Sequence, residues 1–534
     1  MRRYPMPRVK GMRGQMLLFL LSLVPLIASA PPAAGSESPG EIKVLAAQER
    51  GEVNKWVFGN NLCGYDPMTY EDWAKEYRGF SDFGEGFWDP LNKRPVPAVL
   101  NLAREAGITA VRFPGGCGTH HYNWKRAVGK DRSDFLFGIE EFLQVARRLD
   151  AEPVITVSYF TGNQGDAADL VEYLNTLNDG SNWNGGKDWA AERARNGHPE
   201  PYGVRYFEIG NEVWHGDHKD ISQVSPQEYA VRYLAYYAGM KAVDSSIQIG
   251  ALLKDEAWTR ELTAVIGGRL DFGVTHFYFS SGWAHKELSG KDVDRVFYET
   301  LNEPQYYAFR LQTMLRLIRN AAGRELPIAF TEYNTAFHQN KPVPYRHCLG
   351  AALVNAEVLR VIMDPENHIL MANYWDLLSR FWGMLNNFQP IEQKYLGHPY
   401  TKRPNFYVYE LYHKHFGQIL LETSAKGNAA GLSINASKSK EGDCLYLMVI
   451  NKSMDRSVEC SILLEGFAPA SPGQAWVLNG PGVDATNEEE PDCVKVTRRA
   501  VDNSKGVSGF AFEPHSLTAI EFRSEISGLG GRKN

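Results

Sequence analysis

The sequence predicts an α/β protein: a (β/α)8 TIM barrel followed by a C-terminal all-β sandwich. Short apolar runs alternate with longer amphipathic stretches from about Asn54 to Phe416, as parallel strands joined by crossover helices require. The notable polar residues of that region stand at the C-terminal ends of apolar runs, where barrels carry their sites. After Phe416 the texture turns short and β-rich, with Gly, Pro, Asn and Asp between the runs, as in a sandwich.

The elements follow in order. Strands are expected at residues 55–62, 110–114, 153–159, 205–212, 247–253, 272–279, 328–333 and 369–377. Helices are expected at 97–106, 135–149, 167–177, 226–243, 256–266, 303–322, 345–363 and 405–416. Gly107 stops the first helix, and Pro226 opens the one after the fourth strand. The rival is a doubly wound dinucleotide sheet. It needs Gly-x-Gly-x-x-Gly after its first strand, and none follows residues 55–62. Sandwich strands are expected at 418–421, 445–451, 457–464, 474–478, 493–497 and 517–522, with residues 41–47 adding one from before the barrel.

Residues 1–30 read as a signal peptide: five cationic residues, an apolar stretch from Met16 to Ile27, then Ala28-Ser29-Ala30. The expected domains are this leader, a Pro/Ala/Ser/Gly linker at 31–40, the sandwich-joining strand at 41–52, the barrel at 53–416, the sandwich at 417–525 and a flexible tail at 526–534. The expected location is secreted or periplasmic, with no membrane association after cleavage. A net charge of −6 argues against nucleic acid as a partner. The 12 Trp and 26 Tyr fit a carbohydrate binder and a well-packed barrel equally well. The six cysteines are dispersed without Cys-x-x-Cys. No metal and no cofactor is expected, because His120-His121 and His215-x-x-His218 lack a third ligand in sequence; a structural calcium stays open.

Two strands end in carboxylates. Tyr206-Phe207-Glu208-Ile209-Gly210-Asn211-Glu212 closes the fourth, and Pro327-Ile328-Ala329-Phe330-Thr331-Glu332 the seventh. Either glutamate alone is more often a solvated strand-end residue. Together, across the mouth of a barrel, they form a pair of the kind that cleaves glycosidic bonds, one as acid/base and the other as nucleophile.

These motifs resemble the clan of retaining glycoside hydrolases built on (β/α)8 barrels, and within it family 51, the α-L-arabinofuranosidases and some endoglucanases. Val111-Arg112-Phe113-Pro114-Gly115-Gly116 with His121-Tyr122-Asn123-Trp124-Lys125 is similar to the family's second-strand signature. Residues 404–412 are similar to its barrel-closing helix. The resemblance covers about residues 41–525. It implies Glu212 as acid/base with a raised pKa, Glu332 as nucleophile, and Asn211 on the sugar 2-hydroxyl. It further implies that Arg112 orients Glu332, and that His276 and Tyr278 contact the nucleophile or the sugar. The alternatives are a structural ion pair for Arg112, a core histidine for His276 and a packing role for Tyr278.

Two departures stand out. Cys63 lies where the family's first strand ends in a sugar-binding Glu, and Cys117 follows the Pro-Gly-Gly turn. A Cys63–Cys117 disulfide at the mouth is therefore expected, against two separate thiols. Trp375 ends the eighth strand, as in pyranoside-cleaving members of the clan; the alternative is a packing Trp. Trp382 and Asn386-Asn387 are weaker subsite candidates. The reading is a secreted retaining glycosidase acting on polysaccharide or oligosaccharide, arabinofuranosidase-like. An endo-β-glycanase is the alternative, and a non-catalytic carbohydrate-binding protein the third.

Overall fold

In the computed structural model, eight strands close into a parallel barrel. The structure describes residues 38–64, 84, 86–129, 132, 135–284, 286–289, 291–339, 343–379, 381–386, 400–501 and 508–524. The expected leader, most of the linker, the tail and Asn387 lie outside the described residues. Strand β1 (Gly40–Glu52) precedes the barrel. The barrel strands are β2 (Gly59–Asn61), β3 (Ala110–Phe113), β4 (Glu152–Val157), β5 (Tyr206–Ile209), β6 (Gln248–Leu252), β7 (Phe272–Phe279), β8 (Ile328–Thr335) and β9 (Ile369–Tyr374). Each pairs in parallel with the next. A barrel strand is covered on both faces, so it reads as a continuous apolar run. Every position of β3, β5 and β8 is buried. Any polar residue in these runs must find a partner inside.

Closure depends on the seam between β9 and β2, which pair only at Asn373–Gly59 and Tyr374–Asn60. A Cβ at Gly59 would sit 2.4 Å from the Ala372 carbonyl oxygen, so glycine alone permits this approach. Amide side chains supply the bonds so short a strand lacks. Asn54 Nδ2 donates to the carbonyls of Ile369 and Leu370 at 2.7 and 2.8 Å. Asn61 Nδ2 donates to those of Thr331, Asn373 and Tyr374 at 3.0, 3.3 and 3.2 Å. Residues 55–62 are therefore not one strand. The Asn54 side chain accepts from Trp56 N and starts a 3-10 turn at Lys55–Val57, and β2 begins after it.

The helices are α1 (Pro97–Glu105), α2 (Ile139–Leu149), α3 (Gln164–Asn175), α4 (Trp189–Arg195), α5 (Pro226–Val243), α6 (Glu256–Ile266), α7 (Val293–Thr300), α8 (Glu303–Ala322), α9 (Leu349–Ile362) and α10 (Pro404–Lys414). Capping boxes open α3 (Asn163 with Asp166) and α5 (Ser225 with Glu228). The sequence reading lacks α4 and α7. Both are short, and α4 starts on an Asp188 cap after a Gly- and Asn-rich loop. Among the described residues no helix is long and apolar enough to cross a membrane.

The C-terminal strands are β10 (Ile419–Lys426), β11 (Ser433–Lys438), β12 (Cys444–Asn451), β13 (Val458–Glu465), β14 (Gln474–Asn479), β15 (Lys495–Ala500), β16 (Ser508–Phe512) and β17 (Ser516–Arg523). With β1 they make one nine-stranded sheet, in the order β15-β14-β17-β12-β11-β10-β1-β13-β16. β12 alternates with period two. Leu445, Leu447 and Val449 join the sheet's own core, while Met448 and Ile450 join the core that includes the barrel. Arg403, at the start of α10, is buried and bonds Glu488 of the β domain through Nε (2.7 Å) and Nη2 (3.2 Å).

This shared core and ion pair tie barrel and sheet into one folding unit. Calorimetry should give one cooperative transition. Glu488→Ala deletes half of a buried ion pair, which costs about 3–5 kcal/mol; it should lower Tm without splitting the transition.

Candidate active site

Arg112, on β3, is completely buried and stands among four partners from three other strand ends. Its Nε donates to Glu208. Its Nη1 donates to Asn61 Oδ1 at 3.1 Å and Glu332 Oε1 at 2.8 Å, and its Nη2 to Asn211 Oδ1 at 2.8 Å. Burial opposes its charge, but Glu208 and Glu332 outweigh that and push its pKa further up. Glu208 also accepts from Thr156 Oγ1 at 2.7 Å and Thr331 Oγ1 at 3.1 Å. The sequence reading missed Glu208, although a glutamate inside an apolar strand signals a buried cation nearby.

The chain turns sharply after β5. Gly210 has φ +79° and Glu212 φ +37°. The second is uncommon for a residue with a side chain and costs about 1–3 kcal/mol. This turn brings the Glu212 carboxylate within 4.8 Å of both His276 and Glu332. Glu332 is the more enclosed, with a side chain 5% exposed against 20% for Glu212.

His276 and Tyr278 are two apart on β7 and share a face. Tyr278 OH donates to Glu332 Oε2 at 2.9 Å. His276 Nε2 lies 3.0 Å from Thr331 Oγ1, and Nδ1 lies 3.1 Å from Glu212 Oε1. Because the Thr331 hydroxyl proton goes to Glu208, Thr331 accepts from His276, and Nε2 carries a hydrogen. Nδ1 then faces two carboxylates, Glu212 Oε1 at 3.1 Å and Glu332 Oε2 at 3.8 Å. Burial would raise the Glu212 carboxyl, but the His276 hydrogen bond and charge, with His215 and Arg112, outweigh it and hold it below the ordinary value. His276 moves up: burial opposes its charge, and Glu332 and Glu212 overcome that. The expectation of a raised Glu212 is thus corrected, and its cause is the imidazole that sequence could not place beside it.

Trp375, just past β9, lies against the Pro-Gly-Gly turn. A Cβ on Gly116 would sit 2.4 Å from its Cη2. Trp382 packs 5.6 Å from the Tyr278 ring, centroid to centroid. Asn386 is buried and donates to Glu488 at 3.0 Å. The expected Cys63–Cys117 disulfide is absent, and all six cysteines are thiols. Cys117 opens a 3-10 turn that carries its Sγ towards the end of β5, 3.8 Å from Asn211 Nδ2 and 3.2 Å from His218 Nε2.

A closed parallel barrel with an acid pair at the rim of its strands is the framework of a glycoside hydrolase. Residues 103–293 match a family model described as α-L-arabinofuranosidase 1 domain. Residues 331–516 match one described as α-L-arabinofuranosidase C-terminal domain. A probable α-L-arabinofuranosidase C of Aspergillus fumigatus is 31% identical over 535 residues, covering 90% of this chain and 99% of the relative. An intracellular exo-α-L-arabinofuranosidase of Bacteroides ovatus is 22% identical over 80% of this chain and 86% of its own. The α-L-arabinofuranosidase of Thermotoga maritima matches in structure with TM-score 0.73 at 22% identity, over 91% of this chain and all of that one. The chain belongs to glycoside hydrolase family 51, the α-L-arabinofuranosidases.

His276 binds its proton more tightly in the folded state than in the unfolded. Its stabilisation is complete below about pH 6.5 and fades as pH rises through the higher folded value. Glu212 acts in the opposite sense: its contribution is full above about pH 4.5 and is lost as pH falls through its lower folded value. Tm should fall on both sides of this window, and His276→Gln should flatten the alkaline side.

Proposed function

We propose that this arabinofuranosidase-like glycoside hydrolase cleaves α-L-arabinofuranosides with retention of configuration, using Glu332 as nucleophile and Glu212 as acid/base. The single observation carrying this is the spacing of the two carboxylates, with oxygens within 4.8 Å of each other. Retaining pairs stand about 5–5.5 Å apart, whereas inversion needs about 6.5–9.5 Å for its water. Two donors on Glu332 suit a group that must stay ionised to attack the anomeric carbon. Glu212 protonates the departing oxygen as the glycosyl ester to Glu332 forms. It then takes a proton from the water that opens the ester. The proton shared with His276 Nδ1 is the one delivered. Arg112 fixes the Asn211 oxygen; one Asn211 amide hydrogen faces Cys117 Sγ at 3.8 Å, and the other is left for the sugar 2-hydroxyl. Carbohydrate is the partner; no nucleic acid is expected.

Trp375 at the mouth favours a second reading, an endo-β-glycanase with a stacking floor. Export rests on residues 1–30 alone, and relatives from Bacteroides ovatus and Bifidobacterium longum are named intracellular. N-terminal sequencing of the mature protein should begin after Ala30; an intact Met1 end would remove export.

Glu332→Ala should abolish turnover of nitrophenyl α-L-arabinofuranoside. Glu212→Ala should cost about 10²–10⁴-fold on alkyl arabinofuranosides and arabinan. It should cost far less on nitrophenyl substrates, whose leaving group needs little protonation. His276→Gln should show the same split, more mildly. Turnover in methanol should give methyl α-L-arabinofuranoside; the β anomer would overturn retention. Rapid loss of β-glucan viscosity without arabinose release would favour the second reading.

A further inference from the structure

The fold gathers Cys117, His120 and His218 so that one ligand atom from each lies within 4.8 Å of the others. They come from two segments: the turn after β3 and the loop after β5. His121 and His215 accompany them without supplying the third ligand. His121 Nε2 instead bonds the Asp217 carbonyl at 2.8 Å and clamps the two segments together.

His120 is the informative member. It is fully buried, and neither ring nitrogen has a hydrogen-bond partner. A buried imidazole with two orphan nitrogens is costly unless something binds it. Its backbone is anchored, since the His120 carbonyl accepts from Ser158 Oγ at 3.2 Å and Thr161 Oγ1 at 2.5 Å. Phe160 packs edge-on against its ring, at 4.9 Å between centroids. The third partner is already in line, with His218 Nε2 3.2 Å from Cys117 Sγ. His218 is exposed and free to adjust its side chain.

We propose that Cys117, His120 and His218 bind a borderline-soft divalent cation of the zinc class. Zinc takes sulfur at about 2.3 Å and nitrogen at about 2.0–2.1 Å, which places tetrahedral ligands about 3.4–3.6 Å apart. The His218–Cys117 pair, at 3.2 Å, already stands near that spacing. Three protein ligands leave a fourth position for water. Thiolate and imidazole select this class over magnesium or calcium, which prefer oxygen. Uptake forms a sulfur–metal bond and releases the thiol proton: Cys117–SH + M²⁺ gives Cys117–S–M⁺ and H⁺. The ion ties the turn after β3 to the loop that follows Glu212. The site does not depend on the roles assigned to Glu212 and Glu332.

The test is Zn²⁺ titration of the full-length protein after chelator dialysis. Parallel titrations use Glu332→Gln, Cys117→Ser and His218→Ala. The parent and Glu332→Gln should take up one Zn²⁺ per chain, release a proton and gain in Tm, with no such response to Mg²⁺. Co²⁺ should give a thiolate charge-transfer band in the parent, absent from Cys117→Ser. Losing a ligand should cost at least the roughly 100-fold that losing a supporting partner costs. His218 is exposed, so His218→Ala keeps the test independent of folding. Equal affinity in parent, Cys117→Ser and His218→Ala would overturn the site. So would loss of the ion in Glu332→Gln, which would move it to the acid pair, or a parent that binds no Zn²⁺.

Discussion

The buried guanidinium of Arg112 is the constraint around which the rest of the mouth is built. One planar fork reaches Glu208, Asn61, Asn211 and Glu332, and so ties β2, β3, β5 and β8 at their C-terminal ends. A lysine could not do this, because its point charge offers no fixed directions. Without it, two buried carboxyl groups would lose their shared partner. Glu208 anchors the cation from within the barrel, which lets the same cation present its other edge to Glu332.

From Glu208 the order passes outward. Its second oxygen takes the Thr331 hydroxyl, Thr331 accepts from His276, and the free nitrogen of His276 faces Glu212. Each step leaves the next group one choice of hydrogen position. The result separates the two carboxylates chemically. Glu332 accepts from Arg112 and the Tyr278 hydroxyl, whereas Glu212 faces the imidazole of His276. The loop that carries Glu212 also places His215 Nε2 3.7 Å from the Glu212 carboxylate and His218 beside Cys117. That one loop therefore serves both the acid pair and the cluster of soft ligands.

Barrel and sheet share a core because β12 and β17 present one face to the barrel and the other to their own sheet. Strand β1 precedes the barrel in the chain yet pairs with β10 and β13 beyond it. The chain thus enters the β domain, builds the barrel and returns, which fixes the ends of the barrel segment relative to each other.

The sequence by itself determined the alternation of strands and helices and the two carboxylates at strand ends, because apolar period and strand termination are local. Helices 226–243, 256–266 and 303–322 and strand 272–279 have the observed limits for the same reason. It also placed Arg112, His276 and Tyr278 on the right strands. Tertiary structure decided what those residues meet. Glu208 lay unnoticed because its importance rests on Arg112, 96 positions away. Glu212 was assigned the wrong direction of shift because His276 is 64 positions off. Cys117 was paired with the neighbouring strand, yet its turn aims it at the loop after β5 instead. Short elements such as α4 and β11 escaped, and β2 was drawn too long, because side-chain amides, caps and cross-strand partners define them, and a local period does not. Distances between side chains on different strands depend on barrel closure, and closure is a property of all eight strands together.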